Sequence, residues 1–415
     1  MFDQTLALLW GFGKIAENGP WPVARKDPKM TQNLVDLIVT NGKILTMDAI
    51  NPVAEAVAIK DGKIVAVGSR RDIETYHAAK IIDAGGRSVL PGFVESHLHL
   101  VMGGAELAHL QLGDVHGFDA LANAFRRFGA AHPDKELLIA QGASYGMLDH
   151  SVSRHDLDRI IADRPIAMTA PDHHTIWANT AALKAAAILH GSVMPHGHEV
   201  VMGEDGLATG ELREFEAFAP VIALGGETRL NLGIATGGEP SPWPTAAEQA
   251  IDRAKALNGL RHAARHGITS MVNMDGNLYT LDLLNGLRSE GNLLARVRVP
   301  FHFKPHMDLS ELSRAVDMHA RYNDDWLSSN FVKMFMDGVV DSRTAFMLRD
   351  YVGYPGHRSE PLFDPARFKQ ICTEIDRLGM QIAVHCIGDG AVRTTIDGYE
   401  AALVANGRKD ARHRI

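Results

Sequence analysis

The chain has 415 residues, of which 46% are apolar and 22% charged, a composition that is ordinary for a globular protein of one large domain and an accessory piece. Its net charge of −8 excludes a general nucleic-acid-binding role, because contact with phosphates needs a basic face. The two cysteines, Cys372 and Cys386, exclude a disulfide framework and favour a cytoplasmic protein, and no apolar run reaches the roughly 18 residues of a membrane span.

Residues 1–33 are interpreted as an N-terminal extension. Their beginning, MFDQTLALLWGFGKI, holds a short apolar run, but the charge before it is Asp3 and no clear small-residue cleavage site follows. The stretch therefore resembles a secretory signal peptide only weakly. Met30 opens a more natural beginning for a β-rich region, so we expect residues 1 to about 30 to be an appended segment.

Residues 34–90 contain short apolar strands separated by turn dipeptides. DLIVT and KILTM flank Asn41-Gly42, and AVAIK and KIVAVG flank Asp61-Gly62. Both dipeptides tolerate the positive φ angles that two-residue hairpins require. The sequence predicts a small antiparallel β unit with a hairpin at each dipeptide. Such a unit is too small to bury both of its faces, so we expect it to pack against another part of the protein.

From Gly92 onward, short apolar segments alternate with helical segments. Strands that are covered on both faces have this composition, and repeated β-then-α units predict a parallel sheet, open or closed. The stretch of about 172–244, rich in Gly, His and Pro, is interpreted as an insertion or lid. The predicted strands lie within residues 137–142, 164–171, 267–274, 295–301, 331–338 and 380–386.

Two of the predicted helices have clear boundaries. Thr245 and Glu248 have the spacing of a capping box, so a helix should begin there. Asp364 and Pro365 should begin another, which Gly379 should end. The predicted buried faces consist of Ile251, Ala254, Leu257 and Leu260 in the first helix, and of Phe368, Ile371, Ile375 and Leu378 in the second.

A pair of histidines two positions apart ends the apolar run LPGFVESHLHL at residues 90–100. Residues i and i+2 of a strand point to the same face, so His97 and His99 would direct both imidazoles to one point beyond the strand. Neutral imidazole is the commonest metal ligand in proteins. Taken alone, this spacing is more often two unrelated polar residues on a strand edge than a metal site. The preceding Pro-Gly and apolar run strengthen the interpretation as a metal site, because they fix where the strand ends.

The same stretch resembles the first-strand signature of the metal-dependent amidohydrolase superfamily. Further blocks are similar to one branch, the N-substituted formamide deformylase-like amidohydrolases, in the family's order from about residue 34 to the last residue. The resemblance implies a (β/α)8 TIM-type barrel over residues 91–415 with a small β-sandwich piece at 34–90. The further blocks are DLIVTNGKILTMD, IIDAGGRSVLPG, PDHHTIWANTAAL, GITSMVNMDG, FVKMFMDGVVDSRTAF, MQIAVHCIGDGAV and RHRI.

The resemblance also implies a metal-ligand set. His97 and His99 would be first-strand ligands, His385 the fifth-strand ligand, and Lys333 a carboxylated lysine; the cofactor would be one or two divalent ions, with zinc favoured. Lys333 lies in an apolar strand, where a bare ammonium is costly, but its amine could also reach solvent or pair with Asp337. A hydrogen-bonded core histidine is the alternative for His385.

His174 matches a family position near the substrate, so the resemblance implies a catalytic residue that polarises the scissile carbonyl. His173 could be confused with it, and an ordinary loop histidine is the alternative. Asp275, Asp337 and Asp389 follow predicted strands and would either orient the ligands or form turns beside glycine.

The family pattern continues beyond what the sequence contains. RHRI is normally followed by a histidine ligand, and a later aspartate serves as metal ligand and general base; the 415 residues include neither. We therefore expect the barrel to be incomplete and the chain as given to be impaired or inactive by itself.

Three functions stay open at this point. The favoured one is a metal-dependent hydrolase of carbon–nitrogen bonds in amides, formamides or cyclic amides, with a small-molecule substrate and neither nucleic acid nor membrane as partner. A truncated, non-catalytic protein that binds a partner is the second, and a hydrolase of esters or phosphoesters on the same barrel is the third. A homo-oligomer is also left open.

Overall fold

The computed structural model describes residues 33–195, 197–226 and 228–415, so nearly all of the predicted extension at residues 1–33 lies outside the described residues. The chain divides into two compact units. The first contains the residues up to Val94 together with Ala263–Ser270, and the second contains Glu95–His262 and Met271–Ile415. Among the described helices, none combines the length and the apolar character that crossing a membrane requires.

The N-terminal segment forms two small sheets. Strands β5, β4, β1 and β6 make one in that order, and β3, β2 and β7 make the other. The elements are β1 (Leu34–Thr40), β2 (Lys43–Leu45), β3 (Val53–Ala54), β4 (Ala56–Lys60), β5 (Lys63–Gly68), α1 (Arg70–Ile73), β6 (His77–Asp83) and β7 (Ser88–Val89).

One of the two predicted hairpins is present. Asp61 and Gly62 have φ angles of 50° and 71° and join the antiparallel strands β4 and β5. Asn41 also has a positive φ, but β2 leaves the sheet of β1 and pairs in parallel with β7, so the hairpin prediction at Asn41-Gly42 was wrong. The Asn41 side chain donates a 2.7 Å hydrogen bond to Asp83, which fixes this turn against β6.

Alternating side chains of β4 serve two separate apolar clusters, as expected for a strand that is covered on both faces. Ala56 and Ala58 pack with Ile73 of α1, whereas Val57 packs with residues of both small sheets. The segment therefore has a core of its own. Its assignment as a β-sandwich piece stays a prediction.

The rest of the described chain alternates strands with helices, which confirms the α/β class. The strands are β8 (Phe93–Leu98), β9 (Leu110–Gln111), β10 (Leu138–Gln141), β11 (Ile166–Thr169), β12 (Thr175–Ala178), β13 (Glu199–Met202), β14 (Ala208–Arg213), β15 (Ile268–Asn273), β16 (Arg296–Arg298), β17 (Phe301–His302), β18 (Leu327–Ser328), β19 (Phe331–Phe335) and β20 (Gln381–His385). The helices are α2 (Leu100–Glu106), α3 (Phe118–Ala131), α4 (Arg154–Ile160), α5 (Thr180–Ala185), α6 (Phe215–Ala223), α7 (Thr228–Thr236), α8 (Ala246–Arg265), α9 (Leu278–Ser289), α10 (Leu312–Arg321), α11 (Pro365–Arg377) and α12 (Asp389–Asn406), with a 3₁₀ turn at Leu309–Glu311.

These strands are arranged in three sheets, in the orders β13-β14-β12-β11-β10-β9, β18-β16-β15-β8 and β17-β19-β20. The pairs β9–β10, β10–β11, β16–β18, β17–β19 and β19–β20 are parallel, as predicted for β-then-α units. Closure into a (β/α)8 barrel stays a prediction. The stretch of about 172–244 is folded: β12, β14 and β13 extend the sheet of β10 and β11 with antiparallel pairs.

Both predicted helix starts are present. Thr245 and Glu248 form the reciprocal hydrogen bonds of a capping box before α8, and the Asp364 side chain accepts from the backbone N–H of Arg367 at the start of α11. The predicted face of α11 is buried at Phe368, Ile371 and Ile375.

The predicted buried face of α8 was wrong at Ile251, which is 56% exposed, and at Ala254, which is also exposed, whereas Leu260 is buried as predicted. The helix instead buries Asp252, whose carboxylate is paired with Arg229 and accepts a 2.7 Å hydrogen bond from the Tyr279 hydroxyl. Because the charged residue Asp252 occupies the buried side of α8, the apolar periodicity of the sequence pointed to a neighbouring face of the helix.

Helices α2 and α8 approach so closely that only glycine fits at their contact. A Cβ atom at Gly104 would lie 2.3 Å from the carbonyl oxygen of Lys255 and 2.9 Å from the nitrogen of Gly259. The adjacent Gly103 has no atom within 4 Å of its Cβ position. This contact places α2, which follows His99, against a long helix.

We predict that Gly104→Ala lowers the free energy of unfolding by about 2–3 kcal/mol, because the methyl group meets backbone atoms that have no freedom to move away. Gly103→Ala, in the same helix, should raise it by up to about 1 kcal/mol, since alanine favours helix over glycine. Urea denaturation followed by circular dichroism measures both. Equal effects of the two substitutions would contradict the packing described for α2 and α8.

Candidate functional site

One cavity of about 880 Å³ in the second unit brings the predicted site residues together. Each comes from a different structural position: the end of β8, the residue that caps α2, β19, the end of β20, and the loop between β11 and β12. They are, in that order, His97, His99, Lys333, His385 and His174.

The His97 and His99 rings lie with their centroids 5.8 Å apart, so the alternation of the strand does place both at the same mouth. Burial, and then the charge of Lys333, lowers the pKa of His99 to about 3 and also lowers the pKa of His97. Both rings are therefore neutral at pH 7, the form that binds metal. The buried Nδ1 atom of His99 has no hydrogen-bond partner.

Lys333 is only 3% exposed, in a strand position between Val332 and Met334. Burial lowers the pKa of its amine to about 8, and its Nζ lies 4.9 Å from the ring centroid of Phe335. The alternative pairing with Asp337 is not formed. That carboxylate instead accepts three backbone N–H groups at 2.8 to 3.0 Å, from Phe346, Ile387 and Gly388.

His385 presents one defined nitrogen to the cavity. Its Nε2 lies 3.0 Å from the carbonyl oxygen of Gly338. A carbonyl accepts only, so Nε2 carries the hydrogen and Nδ1 carries the lone pair in the neutral ring. Burial lowers the pKa of His385 to about 4, which keeps the ring neutral.

The separation of these side chains limits the metal coordination that they provide in this arrangement. Within the described ranges, no group of three or more His, Cys, Asp or Glu side chains is gathered closely enough to bind a metal ion. His97 and His99 form one pair of rings, and His385 pairs instead with His174, at 5.7 Å between centroids. Lys333 is the group that influences both pairs, because its charge lowers the pKa of His97, His99 and His385.

His174 has a carboxylate partner that the sequence did not reveal. Its Nδ1 lies 2.7 Å from Oε2 of Glu214, whose Oε1 accepts hydrogen bonds from the hydroxyls of Thr344 and Ser342 at 2.7 and 3.2 Å. Burial opposes a charge on His174, but the hydrogen bond and the charge of Glu214 outweigh it, so the pKa of His174 is raised. The same ion pair outweighs burial at Glu214 and lowers the pKa of that carboxyl.

The cavity therefore contains histidines whose pKa is lowered and one, His174, whose pKa is raised. His174 is 40 residues from Glu214 in sequence, and Glu214 sits at a backbone φ of 63° just before α6, so no local pattern marks it. His173, the neighbour that could have been confused with His174, lies 3.4 Å from Glu106 and also lines the cavity.

The other residues singled out in the sequence have structural partners. Asp389 accepts the backbone N–H of Leu348 at 2.7 Å, at the start of α12. Asp275 is fully buried, which raises its pKa to about 7, and it accepts from the N–H of Met102. Burial raises the pKa of the Cys386 thiol to about 11, which argues against a thiolate nucleophile.

Most of the chain matches a family of known proteins. Residues 80–415 match the model of the amidohydrolase family. The chain is 25% identical over 397 residues to the protein Long After Far-Red 3 of Arabidopsis thaliana, covering 92% of this chain and 64% of that protein. It is 24% identical over 383 residues to the N-substituted formamide deformylase of Arthrobacter pascens, covering 90% and 67%.

The chain thus spans about two thirds of the length of these curated relatives. Among solved structures, an uncharacterized metal-dependent hydrolase from Pyrococcus horikoshii superposes with a TM-score of 0.62 at 23% identity, over 88% of this chain and 68% of that one. This similarity concerns the fold, and it agrees with the α/β architecture described above.

We predict that Glu214→Gln lowers the pKa of His174, because burial is then opposed only by the charges of Asp172 and Asp337, which raise it less than Glu214 does. NMR titration of the imidazole carbon-bound protons in metal-free protein measures the change.

Asp149→Asn is the matched control, since Asp149 raises the pKa of another histidine, His150, on the surface. This control should lower the pKa of His150 and leave that of His174 unaltered. An unchanged His174 titration in Glu214→Gln would refute the ion pair.

Proposed function

The chain belongs to the amidohydrolase family, and from that premise we propose that it is a metal-dependent hydrolase of carbon–nitrogen bonds in amides, formamides or cyclic amides. The observation that carries the proposal is the convergence of His97, His99, Lys333, His385 and His174 on one cavity. We place the chain in the N-substituted formamide deformylase-like branch, which the similarity to the deformylase of Arthrobacter pascens supports. The partner would be a small amide-type molecule in the cytoplasm.

The donor groups fit a divalent metal chemically. His97, His99 and His385 are neutral and so have lone pairs to give, and the buried Nδ1 of His99 lacks any other partner. Lys333 would complete the set as a carbamate, which replaces a costly buried ammonium with an anionic oxygen ligand. We favour zinc, as one or two ions.

A metal held by these side chains would supply polarisation of the substrate carbonyl and a lowered pKa of the attacking water. The protein's own contribution includes His174, whose pKa Glu214 raises against the effect of burial and whose ring Glu214 orients through Nδ1. A protonated His174 is placed to donate a hydrogen bond to the carbonyl oxygen as negative charge develops there. Thr344 and Ser342 hold Glu214 in position for that role.

We predict that the double variant His97→Ala/His99→Ala loses its bound metal; because the 415 residues are expected to be impaired in catalysis, metal content is the primary measurement and loss of any amidase activity the second. The wild-type chain should retain about one or two divalent ions after dialysis. Elemental analysis by mass spectrometry, together with a substrate panel of formamides and cyclic amides, measures both.

The matched control is His116→Ala/His190→Ala, which removes two exposed histidines that do not line the cavity. Its metal content and activity should equal those of the wild type. Retention of metal by His97→Ala/His99→Ala would rule out the proposed site.

We also predict that Lys333, and not the other buried lysine of the cavity, carries carbon dioxide as a carbamate. Wild-type protein incubated with ¹³C-bicarbonate and zinc should give a carbamate carbon resonance that is absent from Lys333→Met.

Lys304→Met is the control, because burial also lowers the pKa of Lys304 to about 8 and the residue lines the same cavity, although its amine donates to the carbonyl of Ile234. The signal should persist in this variant. A carbamate resonance that survives in Lys333→Met would show that Lys333 is not the modified residue.

A further inference from the structure

The turn of residues 338–344, which follows β19, is attached to two histidines of the cavity. At one end, the carbonyl oxygen of Gly338 faces Nε2 of His385 at 3.0 Å. At the other end, the Thr344 hydroxyl donates a 2.7 Å hydrogen bond to Oε1 of Glu214, whose Oε2 faces Nδ1 of His174. The turn closes on itself, because the N–H of Gly338 donates to the carbonyl of Thr344 at 3.2 Å. One closed turn therefore holds a partner of each ring.

Only glycine fits at position 338. A Cβ atom there would lie 2.0 Å from Oγ1 of Thr344 and 2.7 Å from Oε1 of Glu214, whereas unbonded carbon atoms pack best at about 3.5 Å or more. Gly338 is buried and its φ is not positive, so glycine is needed here for space and not for backbone freedom. The absent side chain lets Thr344 and Glu214 approach the peptide whose carbonyl faces His385.

Glu214 has a backbone conformation that residues other than glycine rarely adopt. Its φ and ψ angles of 63° and 162° fall in a region that is essentially restricted to glycine. Its N–H donates to the carbonyl of His174 at 2.8 Å, and its carboxylate accepts from the hydroxyls of Thr344 and Ser342. Strained residues persist only where several contacts hold them, and they cluster at functional sites. The strain therefore indicates that the placement of this carboxylate has a role beyond stability.

The Thr344 hydroxyl joins the two ends of this network. It donates to Glu214 while it accepts the N–H of Val339 at 2.9 Å, next to the Gly338 peptide. Ser342 supports it with a hydroxyl 2.8 Å away. A methyl group in place of the hydroxyl would leave a buried N–H without an acceptor and a carboxylate oxygen with one donor fewer.

We propose that Thr344 is a positioning residue for both histidines. It orients His174 through Glu214. It orients His385 through Gly338, whose carbonyl is fixed by the same closed turn. The inference rests on the proposed function, in which the one ring donates to the substrate carbonyl and the other binds metal. It deepens that function, because the two rings are then set by one side chain and respond together when it is changed.

The test compares Thr344→Val, which keeps the shape of the side chain but lacks the hydroxyl, with Thr344→Ser, which keeps the hydroxyl. Competition with a chromophoric chelator measures zinc affinity on the full chain. Zinc should bind about tenfold more weakly to Thr344→Val than to the wild type, as is typical when a group that orients a metal ligand is lost. Thr344→Ser should bind zinc as the wild type does.

NMR of metal-free protein labelled with ¹⁵N-histidine gives a second measurement that does not involve zinc. It reports whether Nδ1 of His174 and Nε2 of His385 carry their hydrogens. The nitrogen resonances of both rings should shift in Thr344→Val and stay unaltered in Thr344→Ser. If Thr344→Val does not fold, the milder variant Ser342→Ala replaces it, with smaller shifts expected at both rings.

Tyr351→Phe is the matched control, because it removes another hydroxyl of the same loop, which donates to the carbonyl of Ala345 at 2.8 Å. Its zinc affinity and its histidine resonances should equal those of the wild type. Changes equal to those in Thr344→Val would overturn the proposal, since general loosening of the loop would then explain both.

Two other results would also overturn it: a Thr344→Val protein in which only one ring or neither responds, and a Thr344→Ser protein that behaves like Thr344→Val. The proposed function fails separately. If the wild-type chain binds no zinc, the metal site is refuted, whereas the NMR comparison still decides whether Thr344 positions the two rings.

Discussion

The electrostatics of the cavity depend on a lysine amine that is enclosed in an apolar strand. Lys333 lies between two phenylalanines of β19, Phe331 and Phe335, and within the described residues no salt bridge reaches it. An ammonium in such surroundings is costly, and its charge helps to keep the neighbouring rings of His99 and His385 neutral. A carbamate would invert this field and raise the pKa of the same rings. A cation bound among the rings would offset the charge of the carbamate, and this would couple the modification to metal binding.

Two histidines that are close in space differ in the direction of their pKa shifts. His385 and His174 have ring centroids 5.7 Å apart, yet the pKa of one is lowered and that of the other is raised. The difference lies in the atom opposite each ring: a neutral carbonyl of Gly338 for His385, and the carboxylate of Glu214 for His174. Pairs of titratable groups with opposed pKa values commonly mark the acid and base positions of an active site.

The sequence predicted those features that depend on local spacing. The α/β alternation, the capping box before α8, the Asp61-Gly62 hairpin and the strand-end positions of His97 and His385 follow from periodicities of two to four residues. It did not predict features that depend on contacts distant in sequence. Glu214 meets His174 across 40 residues. Asp252 is buried where Arg229 and Tyr279 approach it, and that shifts the buried face of α8 away from the expected one. The hydrophobic pattern of a single helix contains no information on such partners.

Stability and function are opposed at the cavity wall. His99 Nδ1, Gln141 Oε1 and Thr169 Oγ1 are buried atoms without hydrogen bonds, and all three residues line the same cavity. Each such atom costs about 1–3 kcal/mol when it is left unsatisfied, so a protein optimised for stability alone would replace them with apolar groups of similar shape. A cation at His99 would give one of these atoms a partner, and polar groups of a molecule in the cavity would give the other two theirs. The cost of the empty cavity then becomes binding energy for the ligands, since any molecule that binds the folded state stabilises it. Asp275, His302 and Arg414 also have buried atoms without hydrogen bonds and do not line the cavity, whereas the apolar cluster under α3 and α4, on the other face of β10 and β11, consists of well-packed side chains.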